Sequence, residues 1–298
     1  MSKPRIHLIA TGGTIAGVSA SATDTTAYRA GSLTAQALLD TVPPLAELAE
    51  LSVEQLYNLD SKDMSPQHWL GLARVARAAL ERDEVDGVVI THGTDTLEES
   101  AFFLDLVLPP GKPVVFTCAM RPSSALSADG PMNLYGAVAV ACSAEAAGLG
   151  VLVVSNDRIH TAREATKAHP QALDAFVSPD TGPLGWARPP TFLHRPVRGA
   201  ARAIELDAID ALPQVEILTV AAGSSPRLLN ACIGTGARGI ILALPGNSSL
   251  PQSWEAALAA ARAAGCSVLV ASRTGADPLA LTPLKARVRL ITTLLDEE

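Results

Sequence analysis

The feature that most constrains this chain is an alternation: short runs of β-branched residues, each followed by an Ala/Leu/Arg stretch of helical period. A strand buried on both faces reads as a continuous apolar run, and a parallel neighbour requires a crossover long enough to hold a helix. The alternation therefore predicts an α/β fold with a mainly parallel sheet covered by helices. Strands are expected at 6–10, 87–90, 113–118, 150–155, 215–220, 239–244 and 267–271. The clearest helices are expected at 66–82, 96–106, 132–146 and 250–264. The 298 residues suffice for about two domains. A Pro/Arg-rich segment, 187–202, interrupts the alternation, so the linker is placed at 191–212. An N-terminal α/β domain then spans 1–190 and a smaller C-terminal parallel α/β domain spans 213–298.

Composition narrows the partners. Hydrophobic residues make up 48% and charged residues only 18%, against about 25% in typical chains, which excludes disorder. With 23 basic and 30 acidic residues the net charge is −7, and no Lys/Arg cluster offers a footprint for nucleic acid or an anionic membrane. The expected ligand is small. Residues 1–9 lack the basic, apolar and small-residue regions of a signal peptide, so export is not expected. The most apolar long stretch, 137–154, is broken by Ser143, Glu145, Gly148 and Gly150 and reads as a helix followed by a strand, not a membrane span. Cys118, Cys142, Cys232 and Cys266 lie in apolar surroundings without C-x-x-C spacing, as expected of buried thiols in a reducing cytoplasm.

Ligands of open α/β sheets bind beyond the carboxyl ends of the strands. Three such turns carry more polar residues than turning requires. The first is Thr11-Gly12-Gly13-Thr14-Ile15-Ala16-Gly17, followed by a Ser/Thr/Ala-rich stretch, 18–28. Its glycines let backbone approach a ligand and Thr14 presents a hydroxyl. A tight turn or phosphate loop is the plainer reading, but neither G-x-G-x-x-G nor G-x-x-x-x-G-K-[ST] is matched. The second is Thr91-His92-Gly93-Thr94-Asp95-Thr96. Asp95 or Thr96 alone would be a helix N-cap, but capping does not account for all six residues. Hydroxyls, a carboxylate and backbone N–H groups at a helix start suit an amino acid, with Asp95 taking the ammonium and the N–H groups a developing oxyanion. The third, Ala119-Met120-Arg121-Pro122-Ser123 leading to Asp129-Gly130-Pro131-Met132-Asn133, reads by itself as a structural loop.

Through TGGTIAG at 11–17, THGTDT at 91–96 and KPVVFTCAMRPSSALSADGPMNLY at 112–135, the chain resembles the bacterial-type asparaginase and glutaminase family. The likeness continues through 60–64, 153–167 and 285–288 and so covers nearly the whole length. The resemblance implies a larger N-terminal and a smaller C-terminal α/β domain, and a homotetramer of intimate dimers with sites between subunits. It implies that Thr14 attacks a side-chain amide, releases ammonia and leaves an acyl-enzyme for water to hydrolyse. A hydroxyl needs a proton acceptor and an oxyanion site for this. Tyr28 matches the lid tyrosine that hydrogen-bonds the nucleophile, and Thr94, Asp95 and Lys167 match the second catalytic group. Ser61 matches the position for the substrate α-carboxylate and Ala119 the position that holds the carboxamide. Asn247 matches a polar residue that reaches the neighbouring subunit's site.

Read without the resemblance, Tyr28 is an ordinary packed aromatic and Lys167 a solvated helix residue. Only five of the 23 basic residues are lysines, however. Arginine cannot give up its proton in a protein whereas a partly buried lysine can, so a relay position demands Lys even in an Arg-preferring chain. Two departures from the family concern the substrate ammonium. Lys62 stands where the family has Gln or Glu, and a cation there repels an ammonium. The stretch after Ser272-Arg273, where many relatives supply a glutamate to the partner's site, is short and leaves only Asp277 as a nearby acid. Lys62 is expected either to grip the α-carboxylate or to turn to solvent, with Asp95 as the main anion for the ammonium.

Other chemistries lack their signatures. There is no G-x-S-x-G, no S-x-x-K and no H-E-x-x-H or compact Cys/His group, so no metal and no cofactor are expected. His92 is expected to be a strand-end histidine with a structural hydrogen bond. The overall expectation is a cytoplasmic, homo-oligomeric L-asparaginase with glutaminase side activity. Open alternatives are an amidase for a non-standard amide or D-amino acid, and a catalytically weak amino-acid sensor. The amidase subunit of a tRNA-dependent amidotransferase shares these motifs but carries an extra N-terminal domain before the first strand.

Overall fold

The computed structural model describes residues 2–196, 204–274 and 281–295. It divides into two compact units, Met1–Asp207 and Ala208–Glu298. The first unit is built on an eight-stranded sheet: β1 (Arg5–Gly12), β2 (Glu50–Leu59), β3 (Gly87–Thr91), β4 (Val114–Thr117), β5 (Val151–Ser155), β6 (Arg158–Thr161), β7 (Gly185–Ala187) and β8 (Pro190–Phe192). The spatial order is β8-β7-β6-β5-β4-β3-β1-β2. Strands β2, β1, β3, β4 and β5 run parallel, and β6, β7 and β8 complete one edge antiparallel. The central strands β3, β4 and β5 are buried at every position, as their unbroken Val/Ile runs require.

Helices α1 (Ala35–Asp40), α2 (Leu45–Leu48), α3 (Pro66–Glu81), α4 (Leu97–Val107) and α5 (Gly130–Ala141) cover the sheet. Alternate strand residues Ile6, Leu8, Ala10, Val89, Val115, Leu152 and Val154 share one core with Leu38, Leu45, Leu134, Ala137 and Val138. The strict period of two delivers one set of side chains to each face. The start of α3 is set locally: Ser65 Oγ accepts the His68 N–H, His68 Nδ1 accepts the Ser65 N–H, and Pro66 occupies the first helical position.

The second unit holds three parallel strands in sequence order, β9 (Val215–Thr219), β10 (Gly239–Leu244) and β11 (Ser267–Ser272). They pack with α6 (Arg227–Gly234) and α7 (Glu255–Ala263) around Leu229, Leu242, Trp254 and Val268 on one face, while α8 (Pro283–Leu294) brings Leu290 against Gly239 of β10. No helix among the described residues is long and apolar enough to cross a membrane.

Several elements differ from the sequence expectation. The expected helix 132–146 ends at Ala141, and a separate 3-10 turn, Ala144–Ala146, follows because the Ser143 hydroxyl accepts the Glu145 N–H. The expected helix 250–264 is a 3-10 turn, Gln252–Trp254, leading into α7. Strand β2, unrecognised in the sequence, is an edge strand exposed along much of its length, so it needs no continuous apolar run. Residues 191 and 192, assigned to the linker, sit inside β8. The first unit continues to Asp207 because α3 holds this segment: Arg77 Nη2 donates to the Ile204 carbonyl at 2.7 Å and Arg74 Nη2 to that of Leu206 at 2.9 Å. Residues 197–203 of that expected linker lie outside the described residues. All four cysteines are free, but only Cys118 and Cys266 are buried; Cys142 and Cys232 are half-buried.

Phe116, at the centre of β4, is fully buried. Phe116→Ala is expected to cost about 3–5 kcal/mol, as removal of a packed ring leaves a cavity that surrounding side chains only partly fill. Chemical denaturation of the two proteins measures the difference.

Candidate active site

From β1 the chain moves outward to β2 and then crosses to β3 on the opposite side of β1, so the direction of winding reverses beside β1. Such a reversal opens a crevice beyond the carboxyl ends of the strands. Here those ends carry the first two polar turns. Thr11 Oγ1 donates to the Thr91 carbonyl at 2.9 Å, and the His92 N–H to the Thr117 carbonyl at 2.9 Å, tying β1, β3 and β4 together at the crevice.

The two turns meet backbone to backbone. Gly12 and Gly13 have φ of 99° and 78°, the region that favours glycine. A Cβ on Gly13 would lie 2.4 Å from Gly93 Cα, and one on Gly93 would lie 2.6 Å from Ser61 Oγ. Gly13 is held by its N–H donating to the Leu59 carbonyl and by its own carbonyl accepting the Gly31 N–H.

Thr14 opens the 3-10 turn Thr14–Ala16 and is 6% exposed. Its Oγ1 lies 2.6 Å from the Tyr28 hydroxyl. Tyr28 is carried by a two-residue strand, Tyr28–Arg29, paired antiparallel with Val18–Ser19. Gly17 leaves room for the ring, since a Cβ there would lie 2.8 Å from Tyr28 Cδ2. The segment between is fastened to the third polar turn: Ser123 donates its N–H and hydroxyl to the Gly17 carbonyl, the Ser19 N–H reaches Ser124 Oγ, and the Leu126 N–H reaches the Ala22 carbonyl.

In the second turn, Lys167 Nζ donates to Thr94 Oγ1 at 2.7 Å and to Asp95 Oδ1 at 2.5 Å. Lys167 lies not on a helix but on a short strand, Thr166–Lys167, paired with Phe176–Val177. That hairpin withdraws its side chain to 14% exposure while Asp95 stays 56% exposed. Buried Glu98, in the first turn of α4, accepts the Lys167 backbone N–H at 3.3 Å. The sequence does not single out Glu98; its only signal there is an acid in the first turn of a helix, a feature usually ascribed to the helix dipole.

Ser61 is 3% exposed; its Oγ accepts the Asp95 N–H at 3.1 Å and its carbonyl accepts from Thr96 Oγ1 at 2.7 Å. The Asp95 N–H is thereby engaged by Ser61. Lys62 turns to solvent, 66% exposed, with Nζ donating to Asp60 Oδ2 at 2.9 Å. That hydrogen bond, with the charges of Asp60, Asp63 and Asp95, raises its pKa. Ala119 is fully buried on the third turn. Asn247 belongs to the second unit, exposed on the turn after β10, whose Gly246 carbonyl accepts from Ser272 Oγ at 2.6 Å. Asp277 lies outside the described residues. No group of three or more His, Cys, Asp or Glu among the described residues is arranged to hold a metal ion.

His92 is fully buried beneath this turn, with Nδ1 donating to the Gly93 carbonyl at 2.7 Å and its ring 5.8 Å from that of Phe116. Burial depresses its pKa to about 4, against the partial opposition of the Gly93 bond. The unfolded chain binds a proton near pH 6.5 and the folded chain only near 4, so stability is intact above 6.5 and falls as pH drops through this window. A loss of up to about 3 kcal/mol is expected at its acid end, and a smaller loss in His92→Asn. Denaturation between pH 7 and 4 gives both slopes.

The chain matches the family model "Asparaginase, N-terminal" over residues 5–197 and the "Glutaminase/Asparaginase C-terminal domain" over 214–294. It is 40% identical to L-asparaginase 2 of Bacillus subtilis, covering 98% of this chain and 82% of the relative. To the glutaminase-asparaginase of Pseudomonas fluorescens biotype A it is 38% identical, with coverage of 93% and 77%. The structure of a probable cytoplasmic L-asparaginase from Campylobacter jejuni superimposes with a TM-score of 0.92 at 38% identity, covering 98% of this chain and 95% of that one. With both of its units matched by the family's own two models, the chain belongs to the asparaginase family.

Proposed function

We propose that the protein hydrolyses the side-chain amide of L-asparagine to aspartate and ammonia through a covalent ester on Thr14. The observation that carries this reading is the set of three short contacts made by two touching turns: Thr14 with Tyr28, and Thr94 and Asp95 with Lys167. The Thr14 hydroxyl hydrogen passes toward Tyr28 as Thr14 Oγ1 attacks the amide carbon. The C–N bond breaks and ammonia leaves with that proton. Because Lys167 Nζ donates to Thr94 Oγ1, the Thr94 hydroxyl hydrogen is left to point at substrate or at the water that cleaves the ester. The exposed Asp95 carboxylate pairs with the substrate ammonium and the Ser61 hydroxyl with its α-carboxylate. Glutamine is a second substrate of the same geometry. The chain acts in the cytoplasm as a homotetramer, in which large exposed side chains such as Leu126, Trp186, Leu193, Leu269 and Val270 become buried and Asn247 reaches a neighbour's site.

Thr14→Ala is expected to lower ammonia release from L-asparagine by at least about 10³-fold. Lys167→Met is expected to lower it by about 10²–10⁴-fold, as for a proton-transfer group. Both should leave the melting transition in place. A Thr14→Ala protein that retains activity excludes the threonine route.

The Lys62–Asp60 pair favours a second reading, in which the substrate range is shifted toward amides without a free amine. Lys62→Gln removes the cation and frees the Asp60 carboxylate. It is expected to lower KM for L-asparagine by about two- to fivefold, the size of effect exposed charges exert. KM for succinamic acid, which has no ammonium, should not fall. Equal changes for both substrates remove this reading.

A further inference from the structure

The Asp129–Asn133 segment, a structural loop and helix start by sequence, makes an unusual use of its polar groups. Asp129 is the N-cap residue of α5, yet its carboxylate makes no capping bond to that helix. Aspartate at this position normally satisfies a helix N–H and stabilises the helix start. Here both oxygens are committed to the neighbouring turn: Oδ2 accepts the Met120 N–H at 2.9 Å and Oδ1 the Arg121 N–H at 2.9 Å. Asn133, one turn further along α5, donates from Nδ2 to the Cys118 carbonyl at 2.9 Å and to Asp129 Oδ2 at 3.0 Å. Its Oδ1 accepts the Asn156 N–H at 2.9 Å, in the tight turn joining β5 to β6. Asparagine is a poor helix former because its amide competes for backbone groups, and here it is 4% exposed with its amide occupied on both sides.

These bonds bracket one residue. Asn133 grips the carbonyl before Ala119 and Asp129 grips the two N–H groups after it. The first helical residue packs on the first and third turns, since a Cβ on Gly130 would lie 3.0 Å from Ile15 Cγ1 and 3.4 Å from Ala119 Cβ. Ile15 follows Thr14. The start of α5 is therefore the common support of the nucleophile turn and of Ala119.

We infer that Asp129 and Asn133 are positioning residues for the reaction, holding the Ala119 carbonyl where it accepts a hydrogen bond from the carboxamide N–H of the substrate. The inference rests on the Thr14 reading above and on the carboxamide position that the family resemblance implies for Ala119, and deepens both. A carbonyl at that point orients the leaving nitrogen and does nothing for an ester, whose leaving oxygen carries no hydrogen. The pair thus serves the leaving group, not the attack on carbon.

The test compares kcat/KM for L-asparagine and for L-aspartate β-methyl ester in wild type, Thr14→Ala and Asp129→Asn, with melting temperatures. Asp129→Asn is expected to lower the value for the amide by about 10- to 100-fold and that for the ester by less than about threefold. Parallel losses on amide and ester, or no loss on either, in a variant that melts like wild type overturn the inference. Should Asp129→Asn not fold, Asn133→Ser, which removes the donor to Cys118, takes its place: selective loss on the amide supports the inference, and parallel or absent losses overturn it. Thr14→Ala separates the two levels: activity retained there overturns the threonine route itself, and the positioning inference with it.

Discussion

The close approach of Gly13 and Gly93 is the constraint on which the site depends. Backbone at 2.4 Å from a would-be Cβ excludes every side chain, so the turns after β1 and β3 interlock as bare backbone. Thr14 and Thr94, each one residue beyond a glycine, are thereby brought to neighbouring faces of one crevice. Parallel pairing from Ile6↔Gly87 to Ala10↔Thr91 supplies the register that makes the two turns leave the sheet together. A slip in that register would displace the glycines from each other and separate the hydroxyls.

Around this contact the polar groups hold one another. Ser61 spans the approach from the β2 side, using Oγ for the Asp95 N–H and its carbonyl for Thr96. Lys167 draws Thr94 and Asp95 together from a separate hairpin, and Glu98 fixes the backbone of that hairpin. On the other flank, the segment carrying Tyr28 is secured by Ser123, Ser124 and Leu126 of the third turn. The Thr14 and Thr94 hydroxyls therefore each have a partner that arrives from a different part of the chain, and a site supported from several rigid elements keeps its geometry better than one on a single loop.

Much of this is legible in the sequence and part of it is not. The central strands announce themselves because full burial demands unbroken Val and Ile runs. The three polar turns are legible because they hold more hydroxyls and carboxylates than capping consumes. Strand β2 escapes because an edge strand is allowed polar residues along its exposed face. Lys167 reads as helical because a two-residue strand carries no periodicity at all. Asp129 and Asn133 pass as loop chemistry because an aspartate before a helix is ordinarily its cap, and nothing local reveals that its carboxylate turns the other way.

By itself the sequence determined the α/β class, the family and the polar turns that meet at the crevice, since these follow from apolar runs and from motifs of residue type and spacing. Only the tertiary structure decided which groups touch. Sequence spacing says nothing about a lysine 73 residues from its threonine, or about a serine 34 residues from the N–H it accepts. Lys62 shows the same division: the sequence placed a cation beside the site, and the fold turned it to solvent against Asp60. Hydrogen bonds and close backbone contacts are interactions of a few ångströms, and the chain brings those partners within reach only when the sheet has assembled.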